Sequence, residues 1–123
     1  MSGTIDLDVE HRYAEPNGCR IHYVAAGEGK PILFMHGFPQ FWFLWRHQLA
    51  DLSRDHAVFA PDLRGFNLSD KPEEVEAYRM RQLLGDLRGL VEELGIAPFT
   101  LVGHDWGGIV SWAFAMKLSL IHI

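Results

Sequence analysis

The sequence has little cysteine, no leader-like start and no long apolar run. Cys19 is the lone cysteine among 123 residues, so it cannot close an intrachain disulfide, and we expect a reducing, cytoplasmic location. The first residues, MSGTIDLDVEHRY, are polar and acidic, unlike a signal peptide. No uninterrupted apolar stretch is long enough to span a bilayer, so we expect no membrane partner.

Patterns for metals, nucleotides and nucleic acids are missing as well. The seven histidines form no HExxH helix, and one cysteine cannot build a Cys/His zinc cluster. No glycine-rich nucleotide loop is complete, so we expect neither a metal nor a cofactor. The net charge of -5 argues against nucleic acid as a partner. Four histidines are interpreted as surface or strand residues: His11, His22, His47 and His56.

What is present is an alternation of strands and helices. Residues 11–14 and 20–25 are predicted to form a hairpin with one buried face, because apolar and polar residues alternate in the second stretch. Beyond residue 31 we predict strands at 32–35, 57–60 and 99–102, and helices at 41–52, 79–94 and 109–116. This order predicts an α/β fold, a mostly parallel sheet flanked by helices.

The last six residues, LSLIHI, differ from the sequence before them. They break the helical pattern with β-branched residues and no cap, and they match the translation of a common sequencing-library adapter. We therefore expect one domain over residues 1–117 and a non-native tail over residues 118–123.

The segment FTLVGHDWGG carries the main chemical signal. It has the form Gly-x-Asp-x-Gly between a predicted strand and helix, which is typical of a nucleophile elbow. The nucleophile of such an elbow sits on a strained turn, where a Cβ at Gly103 or Gly107 would collide with neighbouring chain. The central residue here is Asp105, and a carboxylate can displace a leaving group from saturated carbon to give an ester that water then cleaves. The following helix N-terminus should keep Asp105 ionised. The alternative is that Asp105 is only a helix N-cap, although a cap needs no flanking glycines.

The segment HGFP, directly after a buried strand, predicts the oxyanion hole. In elbow-type folds the loop after this strand donates one backbone N–H, and the residue after the nucleophile donates another. The predicted donors are the amides of Phe38 and Trp106, each worth about 3 kcal/mol toward a developing oxyanion. The alternative is a plain Gly-Pro turn.

Together the segments HGFPQFWFLWRHQLADL, APDLRGFNLSDKP and LVGHDWGG resemble the α/β-hydrolase superfamily, and within it the soluble epoxide hydrolases. The resemblance covers residues 13–116. It implies an α/β-hydrolase fold, of which this chain is the N-terminal part, and a small-molecule epoxide and water as reactants. Asp105 would open the epoxide, and a histidine-activated water would release a vicinal diol. Phe38, Pro39 and Trp106 are the predicted substrate-binding residues.

The same resemblance implies parts that the sequence does not show. In the family two cap-domain tyrosines protonate the epoxide oxygen, and the water-activating histidine and its acidic partner lie on later strands. After Asp105 the chain has only His122, in the suspected tail. We therefore expect the cap domain and last strands to be missing and the chain to be inactive alone. Size and stereochemistry of the substrate and the oligomeric state are not predicted.

Two alternatives remain open. A haloalkane or haloacid dehalogenase uses the same aspartyl ester, but haloalkane dehalogenases usually carry Asn at position 38 and fluoroacetate dehalogenases usually carry Arg at position 106. The second alternative is a truncated, non-catalytic gene fragment. Three polar residues are interpreted as structural: Asp62 and Arg64, which in the pattern of the resembled family brace the loop after the fourth strand, and His104.

Overall fold

A mostly parallel sheet of six strands forms the centre of the molecule. The computed structural model describes residues 8–38, 40–117 and 121–122. The strands are β1 Glu10–Ala14, β2 Ile21–Ala26, β3 Lys30–Met35, β4 His56–Pro61, β5 Phe99–Gly103 and β6 Ile121–His122. Their order is β1-β2-β4-β3-β5-β6. Strands β1 and β2 are antiparallel to their neighbours, whereas β4, β3, β5 and β6 run parallel, which confirms the predicted α/β class.

Three helices connect these strands. They are α1 Arg46–Leu52, α2 Met80–Leu94 and α3 Trp106–Lys117, and two 3-10 turns precede α1 and α2, at Trp42–Trp45 and Val75–Tyr78. Helix α2 ends at Gly95 with left-handed angles, as its sequence predicted. Within the described ranges, no helix combines the length and apolar character needed to cross a membrane.

Two predicted helix boundaries were wrong. The stretch 41–52 is a 3-10 turn followed by α1, because the helix has no side-chain cap and the Leu44 amide bonds three residues back to Phe41. Helix α3 begins at Trp106, not at residue 109, because the two glycines after Trp106 already have helical conformation.

Apolar side chains fill both faces of the sheet. On one face Phe34 of β3 packs with the residues around α1, such as Trp45 and Leu49. On the other face Leu33 and Met35 pack with α2 and α3 through a larger set: Leu83, Leu87, Leu90, Val91, Val110 and Phe114. The continuous apolar run of β3 follows from this position, because a central parallel strand is covered on both sides.

The predicted one-sided hairpin was wrong for β2. All residues from Ile21 to Ala25 are buried, because β2 lies between β1 and β4 and is covered on both faces. Its polar residue His22 is fully buried and bonds to the carboxylate of Asp62. The alternating pattern predicted that the His22 side chain faces solvent, and this prediction was wrong.

Part of the proposed tail takes part in the sheet. Ile121 and His122 pair in parallel with Phe99 and Thr100 of β5. Residues 118–120 and 123 lie outside the described residues. The sequence predicts a hexapeptide tail outside the fold, whereas two of its residues extend the sheet by one short strand.

Candidate active site

The carboxyl ends of β3 and β5 meet at one edge of the sheet. Strand β3 lies between β4 on one side and β5 on the other. The loop that leaves β3 and the loop that leaves β5 run to opposite faces of the sheet. Such a switch in strand order opens a crevice in parallel sheets, and ligands usually bind there. Phe38 follows β3 and Asp105 follows β5, so the fold brings the two predicted site segments together.

Asp105 stands on a strained turn between β5 and α3. Its φ of 57° lies in the left-handed region, which is uncommon outside glycine. A Cβ at Gly107 would lie 2.3 Å from the His36 carbonyl oxygen, and one at Gly103 would lie 2.8 Å from the Gly107 carbonyl oxygen. The steric requirement for both glycines, predicted from the sequence, is therefore confirmed.

Gly37 meets the same turn from the β3 side. A Cβ there would lie 2.5 Å from the Cβ of Asp105, so only glycine allows the two loops to approach this closely. The backbone of the next residue, Phe38, donates its N–H to Oδ2 of Asp105 at 3.2 Å. The backbone N–H groups of Trp106 and then Phe38 hold the pKa of the Asp105 carboxyl below its usual range. The carboxylate is therefore ionised at neutral pH, as expected.

Exposed apolar side chains lie on the segments that carry this carboxylate and its amide donors. Phe38 is 68% exposed and Trp106 is 39% exposed, so neither ring belongs to the core. An open groove of about 680 Å³ runs along α3 beside Asp105 and is lined by Gly108, Ile109, Trp112 and Ala113. Pro39, the third predicted substrate-binding residue, lies outside the described residues.

A histidine beside the site was missed by the sequence reasoning. His36 is fully buried, its Nδ1 lies 2.9 Å from the carbonyl oxygen of Gly37, and its Nε2 lies 2.9 Å from the amide of Leu63. A carbonyl only accepts and an amide only donates, so His36 is neutral with its proton on Nδ1. Burial also lowers its pKa. Its position directly after an apolar strand was the available signal.

Asp62 connects more of the structure than predicted. It is fully buried, and Oδ1 accepts the amide of Trp42 at 2.9 Å, while Oδ2 lies 2.7 Å from Nδ1 of His22 and 3.0 Å from Nδ2 of Asn67. Its partners come from three separate segments, so no local sequence pattern predicts them. Among the described residues, no group of three or more His, Cys, Asp or Glu side chains could hold a metal ion.

The comparison with protein families decides the classification. The model described as alpha/beta hydrolase fold matches residues 30–119, a range that contains β3, β5 and the Asp105 turn. The chain belongs to the α/β-hydrolase fold family. This confirms the fold predicted from the three quoted segments.

Epoxide hydrolases are among the relatives of this α/β-hydrolase chain. It is 47% identical over 102 residues to Epoxide hydrolase 4 of Mus musculus, covering 81% of this chain and 28% of the relative. It is 44% identical over 109 residues to Epoxide hydrolase 2 of Siraitia grosvenorii, covering 88% and 34%. The chain therefore spans about a third of the length of these curated relatives.

Solved structures of epoxide hydrolases have the same fold. An epoxide hydrolase from Vigna radiata matches this hydrolase chain with a TM-score of 0.86 and 44% identity, over 88% of this chain and 35% of that one. The F128A mutant of an epoxide hydrolase from Bacillus megaterium, complexed with its product (R)-3-[1]naphthyloxy-propane-1,2-diol, matches with a TM-score of 0.84 and 45% identity. That match covers 86% of this chain and 37% of that one.

Proposed function

We propose that this chain carries the nucleophile of an epoxide hydrolase, with Asp105 forming an aspartyl ester. The observation that supports it is the left-handed backbone of Asp105, whose carboxylate faces the Phe38 amide. A helix N-cap normally has an extended backbone, so capping alone does not explain this conformation. Left-handed strain at a residue other than glycine costs about 1–3 kcal/mol and is concentrated at functional sites.

The first step is attack of a carboxylate oxygen on an epoxide carbon. Because the Phe38 amide binds Oδ2, we assign Oδ1 as the attacking atom. A bond forms between Oδ1 and the carbon, the carbon–oxygen bond of the ring breaks, and the ring oxygen takes a proton from a water molecule, which becomes hydroxide. The product is a hydroxyalkyl ester of Asp105, and the lowered pKa of Asp105 keeps the attacking form populated at neutral pH.

The second step is addition of water to the ester carbonyl carbon. Negative charge then develops on the carbonyl oxygen of the ester, Oδ2 of Asp105, and the amides of Phe38 and Trp106 are assigned to stabilise it. The same two amides already lower the pKa of the free carboxyl, so they favour negative charge at this position. Collapse of the intermediate releases a vicinal diol and restores the carboxylate.

The surroundings of Asp105 favour an apolar substituent on the epoxide. Ile109 and Trp112 line the groove at Asp105 with exposed apolar surface, and the exposed Phe38 and Trp106 follow β3 and the nucleophile, respectively, in the chain. Burying a substituent of the substrate against such surface yields about 25 cal/mol per Å². A diol carrying a naphthyl group is the product bound to the Bacillus megaterium relative, which agrees with this preference.

Covalent labelling tests the proposal directly. The 123-residue chain is incubated with styrene oxide, an aryl epoxide, and the adduct is located by mass spectrometry of peptides. We expect one ester on Asp105 and none in the Asp105→Asn variant. The control is Asp51→Asn, which removes an exposed carboxylate on α1 and should leave the adduct unchanged.

The same experiment separates the two ester-forming chemistries. A dehalogenase would be alkylated by a haloalkane such as 1-bromobutane and would release bromide. Bromide release without any epoxide adduct would favour the dehalogenase. An adduct that persists in Asp105→Asn would remove Asp105 as the nucleophile in either case.

A further inference from the structure

Asp62 and Leu63, directly after β4, hold the chain on both sides of Phe38. The held residues are Gly37 and Trp42, and the chain between them is called the Phe38 stretch. The Leu63 amide donates to Nε2 of His36, whose Nδ1 donates to the carbonyl of Gly37. The Asp62 carboxylate accepts the amide of Trp42. Phe38 lies between these two anchors, next to Gly37.

The Asp62 carboxylate is itself held in place from β2. The amide of Asp62 donates to the carbonyl of His22 at 2.8 Å, and Nδ1 of the His22 ring bonds to Oδ2. The hydroxyl of Ser69 donates to the Asp62 carbonyl and accepts the His22 amide. These bonds leave the carboxylate one orientation, with Oδ1 toward Trp42.

We infer that Asp62 is a positioning residue that holds the Phe38 amide against Asp105. The catalytic importance of this role rests on the proposed function. The claim that Asp62 holds the Phe38 amide in place does not. The predicted bracing of the loop after β4 is present, because Oδ2 of Asp62 accepts from Nδ2 of Asn67, and the Oδ1 bond extends it to the segment after β3. Rigid support of this kind matters because a displacement of about 1 Å in a site can cost roughly 10²-fold in rate.

His11 extends this arrangement to the surface. Its Nδ1 lies 2.9 Å from Nε2 of the buried His22, and the two rings stack with centroids 5.1 Å apart. One of these two nitrogens donates and the other accepts, so this hydrogen bond connects the two rings. His11 therefore helps fix the orientation of the His22 ring that holds Asp62.

The test measures the titration of the Asp105 carboxyl by carbon-13 NMR in the 123-residue chain and in Asp62→Ala. Removing the negative charge of Asp62 would by itself lower the pKa of Asp105. Loss of the Phe38 hydrogen bond would raise it. The two effects have opposite sign, so the rise that we expect in the folded variant cannot come from removal of the Asp62 charge.

A second readout follows the Phe38 amide itself. We expect its hydrogen exchange to become about tenfold faster in Asp62→Ala, because the amide loses one hydrogen bond to a charged group. Asp62→Asn keeps an oxygen for the Trp42 amide, so it should restore most of the original exchange rate and titration. If Asp62→Ala does not fold, His22→Gln releases the same carboxylate and should shift both readouts in the same direction.

The matched control is Asp86→Asn, which removes another buried carboxylate that does not contact the Phe38 stretch. An Asp105 titration that is unchanged in folded Asp62→Ala, or shifted equally in Asp86→Asn, overturns the inference. Absence of a styrene oxide adduct in the unsubstituted chain would instead count against the proposed function. The two failures are therefore distinguishable.

Discussion

His36 links protonation to stability at the level of a single residue. Its Nε2 accepts the Leu63 amide, so a proton added there would replace an attraction with a repulsion between two N–H groups. Burial lowers its pKa, so the folded state binds this proton more weakly than the unfolded chain, where His titrates near about 6.5. The contribution of neutral His36 to the free energy of unfolding is therefore fully present above about pH 6.5.

We predict that the free energy of unfolding falls as pH decreases below about 6.5, with a contribution from His36 of up to about 1.4 kcal/mol per pH unit. The loss stops once the pH passes below the lowered pKa of folded His36. Urea unfolding between pH 7.5 and 5 measures it. His36→Gln should flatten this dependence, whereas the exposed His47→Gln should not. Equal slopes in both variants would contradict the assignment.

Gly107 and Gly108 offer a matched pair at the Asp105 turn. A Cβ at Gly107 would lie 2.3 Å from one carbonyl oxygen and 2.4 Å from another, those of His36 and Met35, whereas a Cβ at Gly108 has its nearest contact at 3.8 Å. We predict that Gly107→Ala costs at least about 1–3 kcal/mol, because backbone must move. Gly108→Ala should be neutral or stabilising by up to about 1 kcal/mol, since alanine favours a helix. Thermal unfolding of the two variants checks the difference, and equal losses would refute the steric argument.

At the scale of elements, Arg64 and Asp86 join the loop after β4 to α2. The Arg64 guanidinium donates two hydrogen bonds of 2.6 Å to the Asp86 carboxylate and a third to the carbonyl of Ala77. Burial raises the pKa of Asp86, and the Arg64 charge only partly offsets it. Desolvation therefore consumes much of the attraction between the two groups.

We predict that breaking this pair costs far more than replacing it. Arg64→Met or Asp86→Leu alone should lose about 3–5 kcal/mol, because each leaves a buried charge without its partner. The double variant should lose much less than the sum of the two. A double-mutant cycle by denaturant unfolding measures the coupling. Additive losses would mean that the two side chains act independently.

Elements with a strong local pattern could be predicted from the sequence. Helix α2 shows its apolar period from Met80 to Leu94 and its stop at Gly95, so burial and cap agree with expectation. The Asp105 turn could be predicted because its steric demand is local and appears as Gly103 and Gly107. The strand β2 was predicted, but its burial on both faces was not, because the burial of His22 depends on Asp62, forty residues away.

The geometry that supports the site could not be predicted in the same way. The anchors of the Phe38 stretch are a carboxylate and a histidine whose partners are distant in sequence. Only the sheet order, with β3 between β4 and β5, brings the loops after these three strands to one edge. The sequence therefore predicted that Phe38 and Asp105 belong to one site, but not which residues hold them in position.

At the scale of the whole molecule, the described residues supply a carboxylate for the first proposed step and two amides that bind it, while the proton for the ring oxygen comes from water. Hydrolysis of the ester needs a base for water. Both nitrogens of the buried His36 are already bonded, and the one histidine after Asp105 in the sequence is His122. The chain spans about a third of its epoxide hydrolase relatives, so groups for the second step have room to lie elsewhere in such proteins.

We therefore predict stoichiometric labelling without turnover for a polypeptide of residues 1–123 alone. Styrene oxide should alkylate Asp105 up to one equivalent per chain, and diol formation should not exceed the rate in buffer. Oxygen-18 water provides the check, because repeated turnover through an aspartyl ester exchanges label into the carboxylate of Asp105. Diol beyond one equivalent, with label in Asp105, would show that the chain contains its own base. Diol beyond one equivalent without label would show direct attack of water and would contradict the ester mechanism itself.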